Sequence, residues 1–289
     1  MVMPDQTAGE LLQQVEQEQR IAILVLGCLQ IVYDRCTQTI RATWGSKPRR
    51  NTDIFYVYGG QNAGIASDMV DIEHIIGQAR PPELQDYEVW VSGDIILCGA
   101  ADVYAGQQDC ILRKRLIAFG YLANQRCYDF VYTVCASSYV DVDALQLYVK
   151  SLPTAGVYHG PLNVHEPSGY PFVSGSSILL SRDVAADLAD NAEDIISAYP
   201  DTMPDDVVIG HWIANKYCTE SVAEISSRIA TDRKATNNQT FVMPYGEGLM
   251  DFVWSLAHSQ IPQKQAYHYH FHSRRMWEMG NFHRRFFAA

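Results

Sequence analysis

The sequence has no excess of positive charge: 22 lysines and arginines stand against 33 aspartates and glutamates, which gives a net charge of −11. A chain this acidic repels polyanions, which argues against a nucleic acid or an anionic membrane as its main partner. Any phosphate-bearing ligand must therefore be met by a local basic cluster. A long hydrophobic run is lacking too, because the longest, residues 21–32, is interrupted by Gly27 and Gln30. It falls well short of the roughly 20 residues that span a bilayer, so we expect a buried strand and no membrane span.

Cysteine pairs at metal-binding or redox spacing are also absent. The seven cysteines are scattered and never occur as C-x-x-C. That pattern fits reduced thiols in a cytoplasm better than a disulfide framework or a zinc site. Residues 1–20 are acidic and glutamine-rich, without a basic start or a small-residue cleavage site, so we do not expect a signal peptide. The predicted location is cytoplasmic.

The common phosphate-binding and nucleophile motifs are missing as well. No G-x-G-x-x-G follows the first predicted strand, and no G-x-x-x-x-G-K occurs. Their absence disfavours a dinucleotide-binding protein or a P-loop nucleotidase. No G-x-S-x-G occurs either, which disfavours a serine hydrolase.

What is present is an alternation of buried strands and amphipathic helices. With 47% hydrophobic and 19% charged residues, the chain has the composition of a globular protein. Alternating strands and helices predict an α/β fold with a mostly parallel sheet flanked by helices. The predicted strands are residues 21–28, 52–60, 88–94, 128–134 and 157–160, and the predicted helices are 8–20, 34–44, 107–125, 141–152, 183–191 and one that begins at 205.

We expect one large domain, residues 21–289, preceded by a helical lead-in over residues 1–20. Its two halves would be residues 21–155 and 156–289. Because ligands of doubly wound sheets bind at the carboxyl ends of the strands, the loops after the predicted strands are the first places to search for a site. They follow Gly27, Gly60, Asp94 and Val134.

Four motifs occur in a fixed order along the chain. They are residues 40–45 (IRATWG), 129–145 (DFVYTVCASSYVDVDAL), 170–181 (YPFVSGSSILLS) and 204–210 (PDDVVIG). In order and spacing they resemble the β-1,3-glycosyltransferase family that includes fringe and the galactosyl- and N-acetylglucosaminyltransferases. The resemblance spans about residues 20–275, which is most of the chain.

The resemblance implies a GT-A fold with a Rossmann-like nucleotide-sugar half and an acceptor half. It also implies inverting transfer of a hexose or N-acetylhexosamine from a UDP-sugar to a glycan hydroxyl, in a β-1,3-type linkage. Such a reaction needs a carboxylate that accepts the proton of the attacking hydroxyl, and positive charge to receive the departing diphosphate. Asp206 matches the family's catalytic base, and Asp205 and His270 are assigned to the acceptor. The alternative is that Pro204, Asp205 and Asp206 simply begin a helix, where proline and acidic side chains are favoured.

The family's metal-binding triad of aspartates is replaced in this chain. In the register of the motif, Cys135, Ala136 and Ser137 stand where the three aspartates belong. We therefore expect no metal ligand there and transfer without Mn²⁺. A second acidic pair, Asp141 and Asp143, is interpreted as the cap and first turn of a helix. The alternative is a displaced metal site that these two residues form with His270.

The remaining assignments concern the donor. The resemblance implies that the UDP-sugar is contacted by Arg41, Thr43, Lys114, Ser137, Gly175, Arg274 and Arg275. The last two arginines would replace the charge of the missing metal, and the alternative is a solvated basic turn. The alternating histidines of residues 267–272 would share one face of a strand, as a polar wall or a contact to phosphate.

The sequence thus predicts a metal-independent hexosyltransferase. We expect a bacterial or viral source, because the membrane anchor and sequon-rich sequence of eukaryotic relatives are absent. The rival is a non-enzyme of the same fold, a chaperone or binding protein, which the loss of the aspartate triad would permit. Transfer to a protein side chain is a further alternative that the residues do not separate from transfer to a glycan.

Overall fold

The computed structural model describes residues 19–61, 68–77, 83–102, 109–125, 127–160, 162–218, 220–235, 267–271 and 276–287. The predicted lead-in helix over residues 8–20 lies almost wholly outside these residues. None of the described helices combines the length and apolar character needed to cross a bilayer.

The described strands form one central sheet and two small ones. The strands are β1 (Ile21–Leu26), β2 (Thr52–Gln61), β3 (Val89–Ser92), β4 (Ile95–Ala101), β5 (Phe130–Cys135), β6 (Ser138–Val140), β7 (Tyr158–His159), β8 (Leu162–His165), β9 (Tyr170–Val173), β10 (Ser177–Ser181) and β11 (His268–His270). Seven of them make the central sheet, in the spatial order β3-β4-β2-β1-β5-β10-β7. β6 pairs with β11, and β8 pairs with β9.

Helices cover both faces of the central sheet. They are α1 (Ile31–Ala42), α2 (Ile72–Ile76), α3 (Asp109–Gln125), α4 (Val142–Val149), α5 (Arg182–Asp190), α6 (Ala192–Ala198), α7 (Asp205–Tyr217), α8 (Val222–Ala235) and α9 (Met276–Phe286). The four central strands β4, β2, β1 and β5 are parallel, and β3, β10 and β7 run antiparallel to their neighbours. The predicted α/β class with a mostly parallel sheet is confirmed.

β1 explains why the longest apolar run is a strand. Ile21, Ile23 and Val25 point into the core on one face of the sheet, and Ala22 and Leu24 point into the core on the other. Side chains alternate between the faces of a strand, so a strand that is buried on both sides must be apolar at every position.

Two hydrophobic cores lie on opposite faces of the sheet, and most of the helices pack against one of them. α1 contributes Cys36 and Ile40 to one core, whereas α3 contributes Leu116 and Phe119 to the other. α7 lies on the α3 side, because its Ile209 belongs to the same core as those α3 residues.

Two strands of the central sheet, β4 and β10, were not predicted. β4 contains Gly99, whose side-chain position is filled by neighbouring backbone: an ideal Cβ there would lie 1.7 Å from the Gln85 carbonyl oxygen. β10 follows a segment rich in glycine, serine and proline, and that composition suggested a loop. Glycine in a strand marks such close approaches, but the approaching segment is not evident from the sequence.

Candidate functional site

The order of the parallel strands defines a crevice. The chain passes from β1 to β2 and β4 on one side, and β5 lies on the other side of β1. The strand order therefore reverses between β1 and β5, at the carboxyl ends formed by Gly27 and Cys135. In doubly wound sheets this switch point is where ligands bind.

A buried ion pair fixes one side of the crevice. The Lys114 ammonium, on α3, donates to the Gly27 carbonyl at 3.0 Å, to the Asp102 carbonyl at 3.1 Å and to Asp102 Oδ1 at 3.3 Å. The Asp102 carboxylate accepts from the Leu29 amide at 2.5 Å and from the Gly59 amide at 2.7 Å. Burial disfavours the charged lysine, but the attraction of Asp102 prevails and the pKa of Lys114 is raised. Lys114 therefore lies beside the crevice with its charge bound to the protein, and its contact with the donor stays a prediction.

The turn after β5 forms the other side. The Cys135 sulfur lies 3.2 Å from the hydroxyl oxygens of both Ser137 and Ser138. The Ser138 hydroxyl also donates to the Ser176 carbonyl at 3.4 Å, which joins this turn to the turn between β9 and β10. Among the residues that the structure describes, no cluster of three or more metal-ligating side chains occurs.

Asp206 lies beside that second turn. Pro204 precedes α7, and Asp205 and Asp206 occupy the first turn of the helix, as expected for residues favoured by exposed amides and the helix dipole. Asp206 Oδ2 accepts a hydrogen bond from the Gly175 amide at 2.7 Å, and its Oδ1 accepts from the Val207 amide at 2.9 Å. An ideal Cβ on Gly175 would lie 3.1 Å from Asp206 Oδ2, so glycine permits this close approach.

Arg115 completes the cluster from α3. Its Nη1 lies 2.9 Å from Asp205 Oδ2, and its Nη2 donates to the Gly175 carbonyl. Arg115 was not predicted, although it lies three residues after Leu112 and four before Phe119, on the buried stripe of the helix. A charge on an apolar stripe is a signal that could have identified it, because arginine is rarely buried without a partner.

The electrostatics favour a basic carboxylate. Burial and the neighbouring Asp205 raise the pKa of Asp206 to about 6, against the lowering effect of the Gly175 amide, Arg115 and the Val207 amide. A carboxylate with a pKa near 6 is a stronger base than ordinary aspartate and is still mostly ionised at neutral pH.

Other predicted residues lie elsewhere. Arg41 forms an ion pair with Asp94, with its Nη2 2.9 Å from Oδ1, and its guanidinium lies 3.9 Å above the Tyr56 ring. The Thr43 hydroxyl donates to the Thr39 carbonyl at 2.7 Å. Arg41 lies in the last turn of α1 and Thr43 caps the end of that helix, on the face of the sheet opposite α3 and α7. The structure thus does not bring Arg41 and Thr43 together with Asp206.

The second acidic pair serves local structure. Asp141 caps α4, with Oδ1 accepting from the Ala144 amide at 3.1 Å, and this predicted cap is confirmed. Asp143 is in the first turn of α4 and pairs with Arg49 Nε at 3.0 Å.

The histidine-rich tail is described only in part. In β11, His268 is buried, and its Nδ1 lies 2.8 Å from the Tyr132 hydroxyl. The side chain of His270, all of His272, and both Arg274 and Arg275 lie outside the described residues. The predicted histidine face and arginine pair therefore stay predictions.

A cavity of about 350 Å³ lies between α3 and α5, away from these groups. It is lined by Gly120, Ala123, Asn124, Arg182, Asp183, Ala186 and Asp190. None of the candidate site residues lines it.

No protein-family model matches the chain, and no curated protein matches its sequence. A function must therefore come from the geometry of the site together with the motifs.

Proposed function

We propose that the chain is an inverting hexosyltransferase of GT-A type, which moves a sugar from a UDP-sugar to an acceptor hydroxyl. The observation that carries the proposal is Asp206: a largely buried carboxylate beside the switch-point crevice, held by the Gly175 amide at 2.7 Å, with its pKa raised to about 6. A base of this kind suits removal of a proton from an alcohol as it attacks the sugar.

The position of the site supports the same reaction. A nucleotide at the switch point would lie between the Gly27 loop and the turn of Cys135 to Ser138, and the Gly175 turn borders the second of these. The sugar of the donor would then lie next to Asp206, from which an acceptor hydroxyl can be deprotonated.

The resemblance supplies the finer part of the proposal. UDP is the expected carrier, a glycan hydroxyl the expected acceptor, and a β-1,3-type linkage the expected product. Arg274 and Arg275 are proposed to face the diphosphate. None of the seven cysteines forms a disulfide, which supports a reducing compartment, and we propose a cytoplasmic protein of bacterial or viral origin.

A binding protein of the same fold is the second candidate. It is favoured by the turn after β5, where the sulfur and hydroxyls of Cys135, Ser137 and Ser138 contact one another in place of anionic metal ligands. Such a protein would bind a sugar nucleotide or a glycan without releasing UDP.

One experiment separates the two. The purified chain is incubated with UDP-, GDP- and CMP-sugars and an acceptor panel, and binding is followed by calorimetry while released nucleotide is measured in parallel. Release of UDP that depends on acceptor supports the transferase. Binding of a UDP-sugar without release supports the binding protein, and absence of both contradicts the uridine-nucleotide assignment.

A further inference from the structure

Arg115 connects the elements that surround the candidate base. Its guanidinium lies 2.9 Å from the Asp205 carboxylate through Nη1 and donates to the Gly175 carbonyl through Nη2. The Gly175 amide donates in turn to Asp206 at 2.7 Å. Gly175 is therefore held at its carbonyl by Arg115 and at its amide by Asp206.

The burial of Arg115 is unusual for a residue that only stabilises the fold. It is 2% exposed. Within the described part of the chain, its Nε donates no hydrogen bond, and its contact with Asp205 is an ion pair without hydrogen-bond geometry. Buried donors that lack a partner are costly and few, and a specific function often accounts for them.

We propose that Arg115 is a positioning residue for the transfer reaction: by binding Asp205 and the Gly175 carbonyl, it leaves Asp206 as the carboxylate of the pair that accepts the proton. This inference rests on the proposed function. Arg115 acts through its neighbours and is not itself assigned a contact with donor or acceptor.

The charges around Asp206 make the inference testable. The charged groups that act on it are Asp205 on its own helix and Arg115 from α3, and Asp206 in turn raises the pKa of Tyr158 in β7. Asp205 raises the pKa of Asp206, and Arg115 lowers it. Removing the arginine should therefore raise that pKa, and removing the neighbouring carboxylate should lower it.

The test is an NMR titration of the Asp206 carboxyl carbon in the ligand-free protein, assigned with Asp206→Asn. In Arg115→Gln we expect the midpoint to rise by about one pH unit, the low end of what a nearby opposite charge contributes. The midpoint should fall in Asp205→Asn. In Arg115→Lys, which keeps the positive charge, it should lie close to the wild-type value. Arg228→Gln is the matched control, because Arg228 is exposed and pairs with Glu220 on the surface.

A second readout is the dependence of the transfer rate on pH. If the midpoint is one pH unit higher, the transfer rate of Arg115→Gln should be about fivefold below that of wild type near pH 6, in addition to any loss that is the same at every pH. This additional loss should disappear near pH 8. A purely structural arginine would lower the rate equally at every pH and leave the titration unmoved. That result, or equal titrations in Arg115→Gln and Arg228→Gln, would overturn the inference.

Three outcomes are distinguished. If Arg115→Gln does not fold, the fall of the midpoint expected in Asp205→Asn and a small rise above the wild-type midpoint in Arg115→Lys decide the matter. If the titrations shift as expected but wild-type protein transfers no sugar, the proposed transferase function fails while the control of Asp206 by Arg115 stands. If transfer occurs and the titrations do not shift, the function stands and Arg115 is not the positioning residue.

Discussion

Asp206 is mostly ionised at neutral pH, although its surroundings on balance disfavour the charged form. Burial and Asp205 both disfavour the ionised form, whereas two backbone amides and Arg115 support it. The balance is a carboxylate that is ionised near neutral pH and still binds a proton more strongly than a solvated aspartate does. This is the property that a general base requires.

Replacing Asp206 with asparagine should abolish that property while preserving shape. We expect Asp206→Asn to lower the transfer rate by about 10² to 10⁴, the usual contribution of a positioned base. UDP affinity should change little, since Asp206 is assigned to the proton and not to the nucleotide. Steady-state rates and calorimetry measure the two quantities. Asp201→Asn, at an exposed position before the same helix, is the control, and equal activity in the two variants would contradict the assignment.

The same substitution should alter stability with a definite dependence on pH. Because the folded pKa is raised from 3.8 to about 6, the native state binds the proton more tightly than the unfolded state does. Asp206 therefore favours folding below pH 4, and this contribution is lost as the pH rises through the folded pKa. At neutral pH the charge costs at most about 3 kcal/mol, at 1.36 kcal/mol per pH unit.

Asp206→Asn should accordingly raise the free energy of unfolding near neutral pH, with the gain shrinking as the pH falls toward the unfolded value. Denaturant unfolding at an alkaline and an acidic pH measures this difference. A stability change that is the same at both pH values would show that the charge is not strained in the folded protein.

Residues whose roles depend on neighbours in sequence were predictable, whereas those that depend on distant partners were not. Asp141 caps the helix that immediately follows it, and the helix predicted from Asp205 begins there. Arg115 acquires its role from Asp205 and Gly175, which are 60 or more residues away in the chain. No local pattern in one sequence encodes such a pairing.

At the level of elements, Lys114 and Asp102 join the carboxyl ends of three parallel strands. Lys114 donates a hydrogen bond to the Gly27 carbonyl, in the loop after β1. Asp102, which directly follows β4, accepts hydrogen bonds from the Leu29 amide after β1 and from the Gly59 amide within β2. This network fixes one side of the crevice. It also explains why the helix α3 supplies adjacent buried cations: Lys114 faces the β1 side and Arg115 faces the Gly175 turn.

Breaking the ion pair should be costly. Lys114→Met leaves the Asp102 carboxylate buried without its cation, and we expect a loss of about 3 to 5 kcal/mol of unfolding free energy. Adding Asp102→Asn should recover part of the loss, because the amide oxygen can still accept a backbone N–H without a net charge. Denaturant unfolding of both variants and of the single Asp102→Asn measures the coupling. Strictly additive losses would contradict the assigned pairing.

Three of the four parallel strands, β1, β2 and β5, were predicted to within about two residues at most ends, because a strand buried on both faces is apolar at every position. β4 and β10 were missed for reasons that lie outside their own sequences. β4 needs Gly99 where the backbone of Gln85 approaches, and β10 is held in the sheet by antiparallel pairing with β5 and β7 on its two sides. Strands that depend on contacts with distant segments are the hardest to predict from a single sequence.

At the scale of the whole molecule, an acidic protein is proposed to bind an acidic ligand. The net charge of −11 repels a nucleoside diphosphate at a distance, so binding depends on cations close to the site. In the described part of the chain, the two cations nearest the crevice, Lys114 and Arg115, are bound to Asp102 and Asp205. Charge for the leaving diphosphate must therefore come from elsewhere, and Arg274 and Arg275 are the proposed source.

This arrangement leads to the prediction that transfer does not require Mn²⁺. A hard divalent cation prefers oxygen ligands, and carboxylates above all. Cys135, Ala136 and Ser137 offer a thiol, a methyl group and one hydroxyl where the resembling family has three aspartates, and the thiol already contacts two serine hydroxyls. We expect the transfer rate to be nearly unchanged in EDTA, and to fall in Arg274→Ala and Arg275→Ala by about tenfold or more, since a charge-assisted hydrogen bond contributes about 1.5 to 3 kcal/mol.

The displaced metal site makes the opposite prediction. It would use Asp141, Asp143 and His270, and activity would disappear in EDTA, return with Mn²⁺ and be absent in Asp143→Ala. The structure weighs against it, because Asp141 is engaged as the cap of α4 and Asp143 pairs with Arg49. A metal there would have to displace the cap, whose loss costs about 1 kcal/mol, as well as the ion pair. Anomalous scattering from a crystal soaked with UDP and Mn²⁺ distinguishes the two: density beside Asp143 would contradict metal-independent transfer, and its absence together with activity in EDTA would support it.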